Sequence, residues 1–283
     1  MDSANPVSGA TATDKEIALA QWLRDRSRVV VGYSGGVDSA YLAVMAFRTL
    51  GRDNTLAVIG RSASYPMAQW ATARQVAESF GITVVEVTTD ELNDPNYAAN
   101  PANRCYFCKT ELWSRLAPLA RSRGFATIAD GTNADDLADY RPGAQAAREH
   151  GVTSPLADFG FSKADIRERS RVLGLPTWSQ PSSPCLSSRL PYGTTVTPQR
   201  LKQVEDAEHA LRSLGITQDM RVRYHDDLAR VELSGAELDQ WIEPRNLTRL
   251  QQAVASAGFS RVTLDLRGFR SGSLNVLHGV TAA

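Results

Sequence analysis

The sequence predicts an α/β fold: a parallel sheet flanked by helices, followed by a smaller α+β domain. Three observations carry this expectation. Up to Ala129, short apolar runs of strand length alternate with longer amphipathic segments, the pattern of βαβ units. The first run, Arg28-Val-Val-Val-Gly-Tyr33, is apolar without alternation, as in a strand covered on both faces. Beyond a Pro- and Ser-rich stretch at 180–193, the order changes to helix, two strands, two helices and a strand, which suits a separate unit.

Taken in order, a helix is expected over 14–25, where Leu19, Trp22 and Leu23 share a face. The strand at 28–33 runs into a Gly-rich turn, and 40–50 continues as an apolar helix stopped by Gly51. A second strand covers 55–60, and a helix covers 66–80 with Pro66 in its first turn. Residues 83–88 alternate as a third strand, 105–123 are helical, and 126–129 form a fourth strand. After the loop come a helix at 198–214, strands at 220–225 and 228–233, helices at 235–243 and 246–257 on either side of Pro244, and a strand at 261–266. The expected division is 14–185 for the first domain and 186–283 for the second. The polar start, MDSANPVSGATATDKE, reads as a tail without a targeting signal.

Composition narrows the function. Lys plus Arg and Asp plus Glu each number 31, so the formal net charge is zero. A chain built to hold long nucleic acid carries a basic excess, so nucleic acid is not an expected partner. Three cysteines among 283 residues are too few, and odd in number, for a disulfide framework. No apolar run approaches the ~20 residues of a membrane span. The expected compartment is a reducing cytoplasm.

The turn Ser34-Gly35-Gly36-Val37-Asp38-Ser39 lies between a buried strand and a helix start. Two glycines let the backbone approach an anion closely. Unpaired N–H groups at the helix N-terminus favour phosphate there. Ser34 and Ser39 add hydroxyls, and Asp38 can hold a Mg²⁺ that travels with the phosphates. The spacing and the lysine of a Walker A loop are missing. The plain alternative is a Gly-rich turn with a Ser/Asp cap.

A second cluster is Asn103-Arg-Cys105-Tyr-Phe-Cys108-Lys109, with Cys185 in the later loop. A helix N-terminus lowers a thiol pKa. A redox pair, a zinc site completed by a histidine, a [4Fe–4S] cluster on three thiolates with one open iron, and ordinary packing all remain open. Asp130-Gly-Thr132-Asn133-Ala-Asp135-Asp136 follows the fourth strand, where carboxylates face the ligand crevice of a parallel sheet. Asp135 or Asp136 could bind Mg²⁺, with Asp136 taken as the candidate, and Thr132 and Asn133 could make nucleotide contacts; a capped helix start would look the same. Tyr140-Arg-Pro-Gly143 is expected as a turn. Arg221 and Arg223 alternate on one strand, so they share a face, and with Arg189 they could clamp a phosphate. The histidines 150, 209, 225 and 278 show no ligand spacing.

The hexapeptide resembles the PP-loop of the ATP pyrophosphatase superfamily. That resemblance implies a Rossmann-like sheet, ATP cleaved between its α and β phosphates, and an adenylylated intermediate. In order, the phosphate loop, Arg104-Cys-Tyr-Phe-Cys-Lys109, Asp130–Asp136, Tyr140-Arg-Pro-Gly143, Pro184-Cys-Leu-Ser-Ser-Arg189 and Arg221-Val-Arg223 resemble the ATP-dependent sulfur transferases of the LarE family over about 15–275. The resemblance implies adenylylation of a carboxylate of a pyridinium-dicarboxylate mononucleotide, with sulfur then replacing AMP, in nickel-pincer cofactor synthesis. It implies ATP and Mg²⁺, a nucleotide substrate, a homo-oligomer, and hand-over to a nickel-inserting enzyme. Cys185 resembles the sulfur-delivering cysteine, consumed in the sacrificial version. Cys105 and Cys108 match instead the members whose three cysteines hold a [4Fe–4S] cluster, the version favoured here. The rivals are a tRNA thiolase, an amide-forming synthetase, or a nucleotide-binding regulatory module without turnover.

Overall fold

The computed structural model describes residues 10–138, 141–181 and 183–270. The polar start up to residue 9, Tyr140 and His278 lie outside the described residues. By internal contacts the described residues divide into two compact units, the second made of residues 92–102 together with 181–270.

The first unit opens with α1 (Ala12–Arg26), capped by Thr11 and Asp14 in a reciprocal capping box. Leu19 and Leu23 are its buried stripe. Then come β1 (Val29–Gly32), α2 (Val37–Leu50), β2 (Thr55–Arg61), α3 (Met67–Ser79) and β3 (Val84–Thr88). In the second unit's insert lies the short α4 (Pro95–Ala98); α5 (Arg104–Ser122) and β4 (Thr127–Ala129) return to the first unit. The first unit closes with α6 (Pro142–Glu149), α7 (Pro155–Asp158) and α8 (Lys163–Val172).

The four strands are parallel in the order β3-β2-β1-β4. Alternation sorts each strand between two cores. Val29, Val31, Ala57 and Ile59 join one with α1, α2 and α3, while Val30, Leu56 and Val58 join the other with Trp113 and Leu116 of α5. Two filled faces explain the unbroken valine run. The strand order reverses between β1 and β4, the place where such sheets bind ligands at their carboxyl ends.

Boundaries differ from expectation by a few residues. The helix expected at 40–50 begins at Val37, so Asp38 and Ser39 sit in its first turn. Pro142 and Gly143, expected in a turn, open α6 with Pro142 in its first turn.

In the second unit, α9 (Pro198–Ser213), β5 (Met220–His225), β6 (Leu228–Leu233), α10 (Gly235–Trp241), α11 (Pro244–Ala255) and β7 (Arg261–Leu264) keep the expected order. Strand β6 pairs antiparallel with β5 and parallel with β7. The insert is stitched in by the Tyr97 and Ser187 hydroxyls at 2.7 Å, and by Asn100, whose Nδ2 donates to the Pro191 carbonyl at 2.7 Å.

Candidate active site

The Gly-rich turn leaves β1 as a close-fitting cradle. Tyr33 N–H still donates to the Val58 carbonyl, extending the strand register. Gly35 then takes φ +70°, and a Cβ there would lie 2.5 Å from the Ala73 Cβ of α3, so only glycine fits. The Ser34 carbonyl accepts from Tyr65 Oη and Gln69 Nε2, both at 2.9 Å. Ser39 Oγ accepts from Ser34 N–H at 3.2 Å. Gly36 caps α2 without a side-chain bond to the helix N–H groups. From β4, Gly131 presses on the same helix start; a Cβ there would lie 2.8 Å from Ser39 N.

Beside the cradle stands a pair of carboxylates. Asp38 Oδ2 receives Lys163 Nζ at 2.5 Å, whereas its Oδ1 is buried with no partner. Burial pushes the Asp136 carboxyl above the usual range, as does the Asp38 charge, against the pull of Arg141, the Asn133 N–H and Lys163. The two carboxylates therefore share one field. Arg141 meets Asp136 Oδ1 at 2.6 Å. Buried Asn133 accepts the Asp136 N–H through Oδ1 and returns its own N–H to Asp136 Oδ2, the cap expected as an alternative. Thr132 N–H donates to Asp130 Oδ1. Asp135 points elsewhere, taking the Lys163 N–H at 2.8 Å.

An orphaned buried oxygen on Asp38, with Asp136 in the same field, fits a magnesium ion. Mg²⁺ is usually held by one or two carboxylates plus substrate phosphates and water. Sequence reasoning misses Lys163. A signal is present: Ser162 and Asp165 form a capping box around it. A lysine at the first position of a helix opposes the dipole, an arrangement that makes sense when an anion is near.

On α5, Cys105 is exposed and Cys108 half-buried, one turn apart on one face. Gly143 of α6 fits against them: a Cβ there would meet Lys109 Cγ at 3.0 Å and the Cys105 carbonyl at 3.5 Å. Cys185 belongs to the second unit, half-buried at the start of a tight turn over Leu186–Arg189. Among the described residues, no group of three or more His, Cys, Asp or Glu side chains gathers to hold a metal ion. Cys105 and Cys108 belong to the first unit and Cys185 to the second.

Arg189 is 3% exposed and committed to its own neighbourhood. Nε and Nη2 bridge to Glu208 of α9 at 2.9 and 3.0 Å, and Nη1 donates to the carbonyls of Pro184 and Cys185 at 2.6 and 3.1 Å. It holds the Cys185 loop. Burial pushes the Glu208 carboxyl up, but the Arg189 guanidinium and the Val222 N–H outweigh it and keep the group below the usual range. Arg223 pairs with buried Glu232 and donates to the Ser188 carbonyl at 2.9 Å. Burial and the Arg189 charge bring Arg221 down to about 10, so it keeps its proton at neutral pH. Arg189 and Arg223 thus hold the turn after Cys185 while each is paired with a carboxylate, and Arg221 feels the charge of both.

Residues 18–115 match the NAD synthase family. A Lactiplantibacillus plantarum protein named pyridinium-3,5-bisthiocarboxylic acid mononucleotide synthase is 40% identical over 266 residues, 94% of this chain and 95% of that protein. The chain belongs to the LarE family. A Synechocystis protein named uncharacterized protein slr1717 is 46% identical to this LarE-family chain over 91% of its length and 95% of its own. An NH₃-dependent NAD⁺ synthetase of Methanococcoides burtonii shares 30% identity over 52% of this chain and 57% of its own. The stretch in common with NAD synthases holds the cradle and the Cys105–Cys108 turn; the Cys185 loop and the arginine strand of the LarE-family chain lie beyond it.

Proposed function

We propose that this chain uses ATP to adenylylate a carboxylate of pyridinium-3,5-biscarboxylic acid mononucleotide and then replaces AMP with sulfur, a step in nickel-pincer cofactor synthesis. The observation that carries the first half is the cradle itself: anion-ready N–H groups beside the unpartnered Asp38 oxygen and the Asp136 carboxylate.

A substrate carboxylate oxygen attacks the α-phosphorus, and pyrophosphate leaves with the bridging electrons. The α2 N–H groups, Ser39 and Lys163 stabilise that leaving charge. Asp38 and Asp136 would hold the Mg²⁺, which when bound neutralises phosphate charge. In the second half, the Cys185 thiolate attacks the acyl carbon and AMP departs, leaving a thioester. Loss of the Cys185 α-proton then breaks the Cβ–S bond, giving the thiocarboxylate and a dehydroalanine. Arg189 orients the Cys185 carbonyl for this, while Arg221 and Arg223 supply positive charge for the substrate's phosphate.

The reading includes ATP and Mg²⁺ as requirements, a homo-oligomeric state in the cytoplasm, and delivery of product to a nickel-inserting enzyme. A [4Fe–4S] cluster on Cys105, Cys108 and Cys185, carrying an exchangeable sulfide, is the competing sulfur source. Anaerobic purification with iron assay, then intact mass before and after turnover with ATP, tests both. Loss of about one H₂S from the chain supports consumption of Cys185. About four irons per chain with unchanged mass supports the cluster. No ATP-dependent pyrophosphate release at all overturns the adenylylation step.

A further inference from the structure

Arg141 stands between two parts of the first unit that the chemistry must keep in step. Its guanidinium lies 2.6 Å from Asp136 Oδ1, and its side chain is half-exposed. Its backbone caps α6, whose second residue is Gly143, where an added Cβ would lie 3.5 and 3.8 Å from the Cys105 carbonyl oxygen and Cβ. Helices α5 and α6 pack along each other.

We propose that Arg141 is a positioning residue that competes with the divalent ion for Asp136 and relays the exchange to the Cys105–Cys108 turn. This rests on the reading above that Asp136 is a metal ligand. Two cations cannot share one carboxylate oxygen at contact distance without mutual repulsion, so the metal displaces the guanidinium when it arrives with the nucleotide. A displaced Arg141 would loosen the cap of α6, the helix that packs along α5 beside the Cys105 backbone. The consequence is order: metal binds weakly alone and well with nucleotide phosphates, and the thiol turn registers its arrival.

The test uses the full chain. Free Mn²⁺ is titrated by electron paramagnetic resonance against the wild type, Arg141→Ala, Arg141→Lys and Asp136→Asn without nucleotide. Iodoacetamide labelling of the Cys105 peptide is followed by mass spectrometry with and without Mg²⁺ and a non-hydrolysable α,β-methylene ATP. Arg141→Ala should bind Mn²⁺ about fivefold more tightly, the scale set by loss of a partly exposed ion pair. Arg141→Lys, which keeps a cation, should stay near wild type and controls for folding. Labelling of Cys105 should respond to the analogue in the wild type and not in Arg141→Ala. Unchanged or weaker Mn²⁺ binding in Arg141→Ala, or labelling that responds equally in both, overturns the proposal. If Asp136→Asn does not weaken Mn²⁺ binding, the underlying metal reading itself has failed, a result separate from the other two.

Discussion

The Lys163 ammonium lies 2.5 Å from the Asp38 carboxylate, tying the first turn of α8 to the first turn of α2. The two residues are 125 positions apart, so the contact exists only once the sheet has closed. Replacing Lys163 with Ala removes a cation aimed at the phosphate cradle. Pyrophosphate release should fall about tenfold or more, with a raised KM for ATP, as read by a coupled phosphate assay; an unchanged rate would exclude Lys163 from the step.

Asp38→Asn keeps the shape of the side chain and removes its charge. The orphaned Oδ1 then has no metal to serve, and ATP cleavage should drop about a hundredfold or more. Added Mn²⁺ should not restore it. Since Asp136 sits above the usual carboxylate range through burial, its protonated form persists to higher pH. Metal-dependent turnover should therefore decline on acidification earlier than for an ordinary aspartate, and an acid limb no higher than an ordinary aspartate would give contradicts this.

Gly131→Ala forces a methyl group to within 2.8 Å of Ser39 N. The neighbour is helix backbone and cannot swing away. The expected cost is about 1–3 kcal/mol in urea unfolding, together with weaker ATP binding by calorimetry. A variant of wild-type stability and affinity would mean the β4 loop and α2 are not packed as described.

Glu208→Gln leaves the buried Arg189 short of its counter-charge. Removing one partner of such a pair costs about 3 kcal/mol at neutral pH. The Glu208 pKa is depressed below 4.5 in the folded chain. Its contribution is thus complete above the unfolded value and disappears as pH falls through the folded one. Urea midpoints at neutral pH and at a pH below the folded value should differ less for the variant than for the wild type. Equal differences would remove Glu208 from the acid response.

Much of this is legible in the residues. The valine run marks a doubly covered strand, and β5 and β6 carry the bounds that alternation assigns to them. The hexapeptide places the cradle at the right strand end. Three things escape. Helix α8 buries little beyond Ile166 and Ser170, so its polar surface hides it, although Ser162 and Asp165 spell out its cap. Pro142 reads as a turn because proline punctuates both turns and helix starts. Glu208 lies on α9, 19 residues from Arg189, and only the fold shows that it neutralises that arginine. The convergence of three thiols is an inference from family resemblance rather than from spacing, and local pattern cannot place residues from different units together.

Residues 92–102 precede α5 in the chain yet belong with the unit that resumes at Pro181. Tyr97, Asn100 and Ser187 are each almost wholly enclosed, and the insert supplies partners to the turn after Cys185. A gene fragment starting at codon 181 would therefore express a lobe stripped of one wall, while a fragment ending at codon 180 would trail an eleven-residue flap with nothing to close upon. Dissecting this enzyme calls for grafting the flap through a linker onto the downstream lobe, not for a single cut.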